Sequence, residues 1–161
     1  TMRGNIDTRI AKLKNQEYDA IVLSLAGIKM LNLTNEVKEI FTIEQMMPAI
    51  GQGAIALQCK KNDEKTLKIL KAINHKETYY CIKAERALLE AIGGDCDTAI
   101  GGFSKLSNDK IFLKSELFSN DGKKKFEFQS SGHFGEAKEI GYKVGKELLK
   151  KAGSDFTSQI N

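Results

Sequence analysis

The chain has 161 residues, enough for one domain or two small ones. It is 41% hydrophobic and 29% charged, as in an ordinary soluble globular protein, and 25 Lys and Arg against 21 Asp and Glu give a net charge of +4. This mild excess, without aromatic residues interleaved in a basic stripe, argues against nucleic-acid binding. No run of roughly 18 apolar residues predicts a membrane span.

The first third of the chain predicts an alternation of helices and strands. Apolar residues at helical spacing predict a helix over residues 5–15. The β-branched run at residues 19–25 predicts a strand buried on both faces, as in parallel sheets, and residues 26–31 begin a helical turn. Residues 37–41 are a further candidate strand. The corner after residue 25 is where α/β folds place ligands.

The segment around the single proline, Pro48, resembles a crossing between two lobes. It contains two glycines, Gly51 and Gly53, and the alternation of residues 54–60 then predicts a strand.

The remainder predicts a small α+β domain. Helical periodicity and alternating runs separated by hairpin turns give the following elements: helices at 63–73, 76–92 and 134–152, and strands at 99–106, 110–118 and 124–129. The apolar stripe of the last helix is formed by Ala137, Ile140, Val144, Leu148 and Ala152.

Three cysteines with long spacings fit neither a zinc site nor a disulfide framework, which favours reduced thiols in a cytosol-like compartment. Cys59, in a predicted strand, and Cys81, in a predicted helix, are interpreted as small buried residues. Cys96 differs because it stands in a glycine-rich turn that presents its thiol. No histidine or acid at suggestive spacing supports a thiol-protease dyad, and His75 is expected in the loop or cap before the second of these helices.

Arginines beside a helix start are candidates for anion binding. Arg3 and Arg9 flank the predicted first helix, where free N–H groups and two guanidinium forks would suit carboxylates or phosphates; two surface arginines are the alternative. Lys29 would add a third positive charge at the βα corner, or be an exposed helix lysine. Gln52 between two glycines is either a hinge residue near a ligand or part of a flexible linker.

In their order along the chain, these motifs resemble the porphobilinogen deaminase (hydroxymethylbilane synthase) family of tetrapyrrole biosynthesis. The resemblance is collinear over nearly the whole chain. It is carried by residues 3–9, 17–23, 26–29, 48–54, 74–78 and 84–87 and by Cys96.

The resemblance implies an α/β plus α+β fold. Residues 1–50 would be the later part of a second lobe resembling periplasmic binding proteins. Residues 51–72 would cross into the first lobe, and residues 73–161 would form the carboxyl-terminal α+β domain, with three antiparallel strands and helices packed on one face. Most of the first lobe, with the family's catalytic aspartate, would lie outside this chain, whose first residue is Thr1; we expect a fragment that is inactive alone. The strand at residues 54–60 would then lack its home sheet, and we expect it to be displaced or to pair with another chain.

The resemblance also implies the chemistry. Cys96 would hold a dipyrromethane cofactor through a thioether, and four porphobilinogen units would condense onto it with loss of ammonia before hydrolysis releases hydroxymethylbilane. Arg3 and Arg9 match arginines that bind pyrrole carboxylates; Lys29 is a further candidate for such a contact, and Gln52 and Gly53 match the hinge near the cofactor. No metal, nucleic acid or membrane is implied; the full-length enzyme would be a cytoplasmic monomer.

Two positions depart from the family's pattern. Met30 follows Lys29 where the family usually has arginine, and Asp95 precedes Cys96 where a glycine is usual. A site with altered carboxylate contacts is therefore expected. The alternative function is a non-enzymatic module that binds a small carboxylate, in which Cys96 is incidental.

Overall fold

A computed structural model of the chain describes residues 2–93 and 98–153. The backbone forms two compact units, Thr1–Thr42 and Ile43–Asn161, called here the N-terminal and C-terminal units. Among the described residues, no helix is long and apolar enough to cross a membrane.

The N-terminal unit is helical. Helix α1 spans Ile6–Lys14, helix α2 spans Leu25–Met30, and a 3-10 turn spans Thr34–Glu36. The first predicted helix is thus confirmed. Gly27 of α2 lies directly against the side chain of Ile6, so that a Cβ at this position would collide with it.

The strands predicted over residues 19–25 and 37–41 are wrong, because neither segment is part of a strand. Val22, expected to be buried, is 62% exposed. A strand covered on both faces needs neighbouring strands and two covering layers. The described part of the N-terminal unit contains no strand with which these two segments could pair. Their backbones therefore form no sheet, although their sequences have the pattern of strands.

The C-terminal unit contains a three-stranded antiparallel sheet in the order β1-β2-β3, which confirms the predicted meander. The strands are β1 (Ile100–Ser107), β2 (Lys110–Phe118) and β3 (Lys125–His133). β3 is longer than predicted. Residues 130–133 lie beyond the predicted end of the strand at residue 129. They stay in the sheet because they pair with β2, as far as Lys110 opposite His133.

The turn between β1 and β2 has two residues, Asn108 and Asp109, with φ of 48° and 60°. Positive φ at both positions is typical of the type I′ turn that matches strand twist, and Asn and Asp tolerate this conformation best among residues other than glycine. Local chemistry therefore sets this hairpin.

Three helices complete the C-terminal unit: α3 (Glu64–Ile73), α4 (Lys76–Ile92) and α5 (Ala137–Ala152), the last preceded by a 3-10 turn at Phe134–Glu136. All three predicted helices are confirmed. The Nδ1 atom of His75 accepts a hydrogen bond from the N–H of Thr78 at 3.3 Å, so His75 caps α4 as expected.

Helices α4 and α5 pack together on one face of the sheet, and these helices and the sheet are called here the α+β domain. The predicted stripe of α5 is confirmed, with Ala152 at its edge only partly buried. The two helices approach closely at Gly141 and Gly145, which face Ala84, Ala87, Leu88 and Ala91 of α4. The largest fully buried apolar side chains are Leu88, Ile111, Leu113, Leu117, Val144 and Leu148.

Residues 54–60 do not form the predicted strand, and Ile55 is 88% exposed. α3, although amphipathic, buries none of its residues. Residues 54–60 have the alternation of a strand, and α3 has the apolar face of a packed helix. Among the described residues, neither segment has a neighbour that buries it. This agrees with the expectation that residues 54–60 lack a home sheet.

Candidate functional site

Cys96, the predicted cofactor anchor, lies outside the described residues, as does Asp95. The structure describes the elements on either side of it. α4 ends at Ile92 and is capped by Gly93, whose φ of 71° is the left-handed conformation common at helix ends, and β1 begins at Ile100. Any group held by Cys96 would therefore start between the end of α4 and the start of β1.

The segment called here the hinge segment, residues 48–53, is attached to β1. The N–H of Gly102 donates to the carbonyl oxygen of Pro48 at 2.9 Å, and Ala49 forms an antiparallel bridge with Gly101. A Cβ at Gly101 would lie 2.8 Å from Cγ of Met47. The glycines of β1 therefore permit close approach of the chain that precedes the hinge.

Glu85 of α4 binds the hinge segment from the other side. Its Oε2 accepts from the N–H of Gly51 at 2.9 Å, and its Oε1 accepts from the N–H and the hydroxyl of Ser104 at 3.1 and 2.6 Å. The residue is only 6% exposed. Three donors on one buried carboxylate tie the hinge segment to both α4 and β1.

Glu85 belongs to the motif at residues 84–87, but the sequence pattern predicts no role for it. A usable signal was present. Glu85 falls within the buried face of α4, together with Ala84 and Leu88. Because an acid on a buried helix face needs donors around it, that position indicated a structural or functional carboxylate.

Gln52 and Gly53 lie just beyond this attachment and are both exposed. The N–H of Gln52 donates to the carbonyl of Ala49 at 3.4 Å, a weak turn contact. A Cβ at Gly53 would meet nothing within 4 Å. The two predicted hinge residues are therefore exposed to solvent just beyond the attached residues.

Arg3, Arg9 and Lys29 belong to the N-terminal unit. Arg9 donates from Nε to the carbonyl oxygen of Gly4 at 2.8 Å, which holds its guanidinium over the residues that precede α1. Arg3 is exposed beside Gly4. The structure thus brings the two predicted arginines to the same end of α1, where helix N–H groups also favour anions.

Lys29 is exposed on α2, the helix that contacts Ile6 at the start of α1. The next residue, Met30, is 81% exposed, so a side chain at that position meets solvent in this structure. Among the described residues of the N-terminal unit, the ion pair is Lys14 with Glu36, and none of the three predicted cations takes part in one. Their charges are available to an anionic ligand.

A groove of about 990 Å³ runs along α4 within the C-terminal unit. Its walls are the extended residues after the hinge, the end of α3 and one side of α4. Apolar side chains predominate on the first two walls, and charged ones lie along α4. The lining includes Gly53, Ile55, Leu57, Ile73, Tyr79 and Arg86. No group of three or more His, Cys, Asp or Glu within residues 2–93 and 98–153 is arranged to hold a metal ion.

Cys81 should react slowly with alkylating reagents. It lies half-buried on α4, where burial raises the pKa of its thiol, opposed by a hydrogen bond with Ser104 and reinforced by the negative charge of Glu85. Because only the thiolate attacks, labelling by iodoacetamide should require higher pH in the native protein than in denaturant. Because the native state holds the Cys81 proton to higher pH than the unfolded state does, the free energy of unfolding should fall as pH rises from the thiol's unfolded pKa to its native pKa.

Peptide mass spectrometry after timed labelling at several pH values measures this effect for each cysteine separately. The same protein in denaturant is the control, in which Cys81 should react as an ordinary cysteine. Equal rates in the native and denatured states at every pH would contradict the expectation.

Family models of known proteins match this chain. Two family models match in order: the dipyromethane cofactor binding domain of porphobilinogen deaminase over residues 1–68, and the porphobilinogen deaminase C-terminal domain over residues 79–150. Fold and matches together define a chain with a cofactor-binding part followed by a small α+β domain. The chain belongs to the porphobilinogen deaminase family.

Relatives of similar sequence carry the same name. The porphobilinogen deaminases of Coxiella burnetii strains CbuG_Q212, RSA 493 / Nine Mile phase I and RSA 331 / Henzerling II are each 40% identical to this chain over 159 residues. The alignment covers 99% of this chain and 52% of each relative. The chain thus spans about half the length of the curated relatives it matches.

Proposed function

We propose that this chain is part of a hydroxymethylbilane synthase, a transferase that condenses four porphobilinogen units, with loss of ammonia, onto a dipyrromethane linked to Cys96. One observation carries the proposal: two models of a single family match in order along the chain, and Cys96 falls inside the second match. The bound dipyrromethane would supply the pyrrole carbon that is extended. The residues described here would hold and orient the growing chain.

Each pyrrole ring of the substrate carries an acetate and a propionate, so every added ring brings two more negative charges. We propose that Arg3 and Arg9 bind these carboxylates through their guanidinium forks, with Lys29 as a further cation. The exposure of Arg3 and Lys29 supports this role, as does the finding that none of the three cations takes part in an ion pair among the described residues. Gln52 and Gly53 would lie near the cofactor at the hinge.

We propose the domain assignment that the sequence suggests: residues 1–50 from a lobe resembling periplasmic binding proteins, residues 51–72 from a first lobe, and residues 73–161 as the cofactor-carrying domain. The exposed apolar side chains of residues 54–60 and the unburied helix α3 support the second assignment. The rest of that lobe would cover them. It is the partner this chain requires, and a catalytic aspartate would lie there.

The intact mass of the whole protein tests the proposal. We expect a covalent addition of two pyrrole units that is lost in Cys96→Ser and retained in the matched variants Cys59→Ser and Cys81→Ser. Ehrlich's reagent should colour the wild-type protein and fail to colour Cys96→Ser. An addition that survives Cys96→Ser would sink the assignment.

The same measurement separates the alternative function. A module that binds a small carboxylate reversibly would carry no covalent addition and would still bind acetate-bearing pyrroles through Arg3 and Arg9. We also propose that the 161 residues alone turn over no porphobilinogen, that the full-length enzyme is a monomer, and that it works in the cytoplasm, where thiols stay reduced.

A further inference from the structure

We propose that Glu85 is a positioning residue that fixes where the hinge segment leaves the α+β domain relative to α4 and β1, the two elements between which Cys96 lies in the sequence. The structural part of this proposal stands on contacts within the C-terminal unit. Its kinetic part rests on the function proposed above.

The contacts of Glu85 join three segments at one carboxylate. Glu85 lies on α4, the element that precedes Cys96 in the sequence, and Ser104 lies on β1, the element that follows it. Gly51 belongs to the hinge segment. Because Oε1 binds Ser104 and Oε2 binds Gly51, the same side chain ties both α4 and β1 to the hinge segment.

The chemistry of the site calls for a carboxylate. Glu85 is almost fully buried, and none of the ion pairs among the described residues includes it. A buried anion without a cationic partner is costly unless several donors satisfy it. An amide has one acceptor oxygen and would serve Ser104 or Gly51, whereas a carboxylate has two and serves both.

These contacts show where the hinge segment stops being attached to the α+β domain. Pro48 and Ala49 are bound to β1, and Gly51 is bound to Glu85 with a φ of 74° that sets the direction of the chain. Gln52 and Gly53 follow without comparable attachment. The first residues free to change direction are therefore Gln52 and Gly53. Without the contact between Glu85 and Gly51, this freedom would begin earlier in the chain, nearer Pro48.

The variant Glu85→Gln tests this contact with little change of shape. Its amide oxygen can keep both bonds from Ser104, which leaves its NH₂ group facing the N–H of Gly51. We expect hydrogen exchange of the Gly51 amide to accelerate about tenfold, the effect of losing one charge-assisted hydrogen bond. Exchange is read at single-residue level by mass spectrometry of the whole protein. Strand amides of β2 should not change.

Two matched variants serve as controls. Glu116→Gln alters another largely buried glutamate, which lies 3.5 Å from Lys125 and does not hold the N–H of Gly51, the group that Glu85 binds. Ser104→Ala removes one bond to Glu85 while leaving Gly51 bound. Neither should accelerate exchange at Gly51. In the wild type, the Gly51 amide should exchange about tenfold more slowly than that of Gly53; equal rates there, or unchanged Gly51 exchange in Glu85→Gln, overturn the proposal.

Steady-state kinetics then test the coupling to the reaction. In the whole enzyme, Glu85→Gln should retain the covalent addition at Cys96 and lower kcat about tenfold with little change in KM, because misplacement of the hinge disturbs the reacting geometry rather than substrate binding. Unchanged kcat with accelerated Gly51 exchange would overturn the coupling. A protein without the covalent addition would overturn the proposed function. The hydrogen-exchange test of the contact between Glu85 and Gly51 would still stand.

Discussion

Replacement of Gly141 by leucine is expected to lower the free energy of unfolding by about 3 kcal/mol. A Cβ at this position would lie 2.7 Å from Cβ of Ala87 and 2.9 Å from the backbone nitrogen of Leu88, and would collide with the carbonyl oxygen of Ala84. The obstacle is largely helix backbone, which cannot turn aside as a flexible side chain can. Helices α4 and α5 would have to separate, and the core between them and the sheet would open.

Urea denaturation of the whole protein measures this loss, with the exposed position Lys143→Leu on the same helix as the control. The control should change stability by less than about 0.5 kcal/mol. Since leucine has a higher helix propensity than glycine by roughly 1 kcal/mol, steric strain must outweigh a local gain. A loss at Gly141 of under about 1 kcal/mol would show that the helices are not in close contact.

Leu117→Ala is the second change with a large expected effect, a loss of about 3 kcal/mol. Leu117 lies on the central strand β2, paired with Ile100 and Phe126, and its exposed fraction is 0%. Truncation removes apolar contacts and leaves a cavity beneath α4 and α5. The surrounding β-sheet can collapse into that space only in part.

Phe112→Ala on the same strand is the matched control, since this side chain lies on the opposite face and is half exposed. Its cost should be about 1 kcal/mol, roughly half the value of a fully buried phenylalanine, because about half of its area stays in water. Equal losses at the two positions would contradict the register of β2. Chemical denaturation followed by circular dichroism provides both values.

The part of the fold determined by local patterns could be predicted from the sequence. The bounds of α4 at residues 76–92 and the stripe of α5 followed from apolar periodicity, and the meander followed from turn residues such as Asn108. Residues 19–25 and 54–60 carry equally clear strand patterns. The strand predictions there were wrong because a strand forms only beside another strand that hydrogen-bonds to it. A sequence pattern does not show whether that neighbouring strand is present.

The candidate site divides in the same way. Arg9 and His75 act within a few residues of their own positions, so their places at a helix start could be predicted. The role of Glu85 depends on Gly51 and Ser104, which are distant in sequence and meet only after the sheet and α4 have packed. The chemistry at Cys96 remains a prediction that the Cys96→Ser experiment decides.

The two-residue turn at Asn108–Asp109 also has a kinetic consequence. Strands joined in sequence order by short turns close small loops, and hairpins of this kind form within microseconds, whereas non-local pairings cost more chain entropy and form later. We therefore expect the β1–β2 hairpin to form early during folding. Residues 47–51 join β1 from a distant part of the chain, so they would dock onto a strand that is already folded.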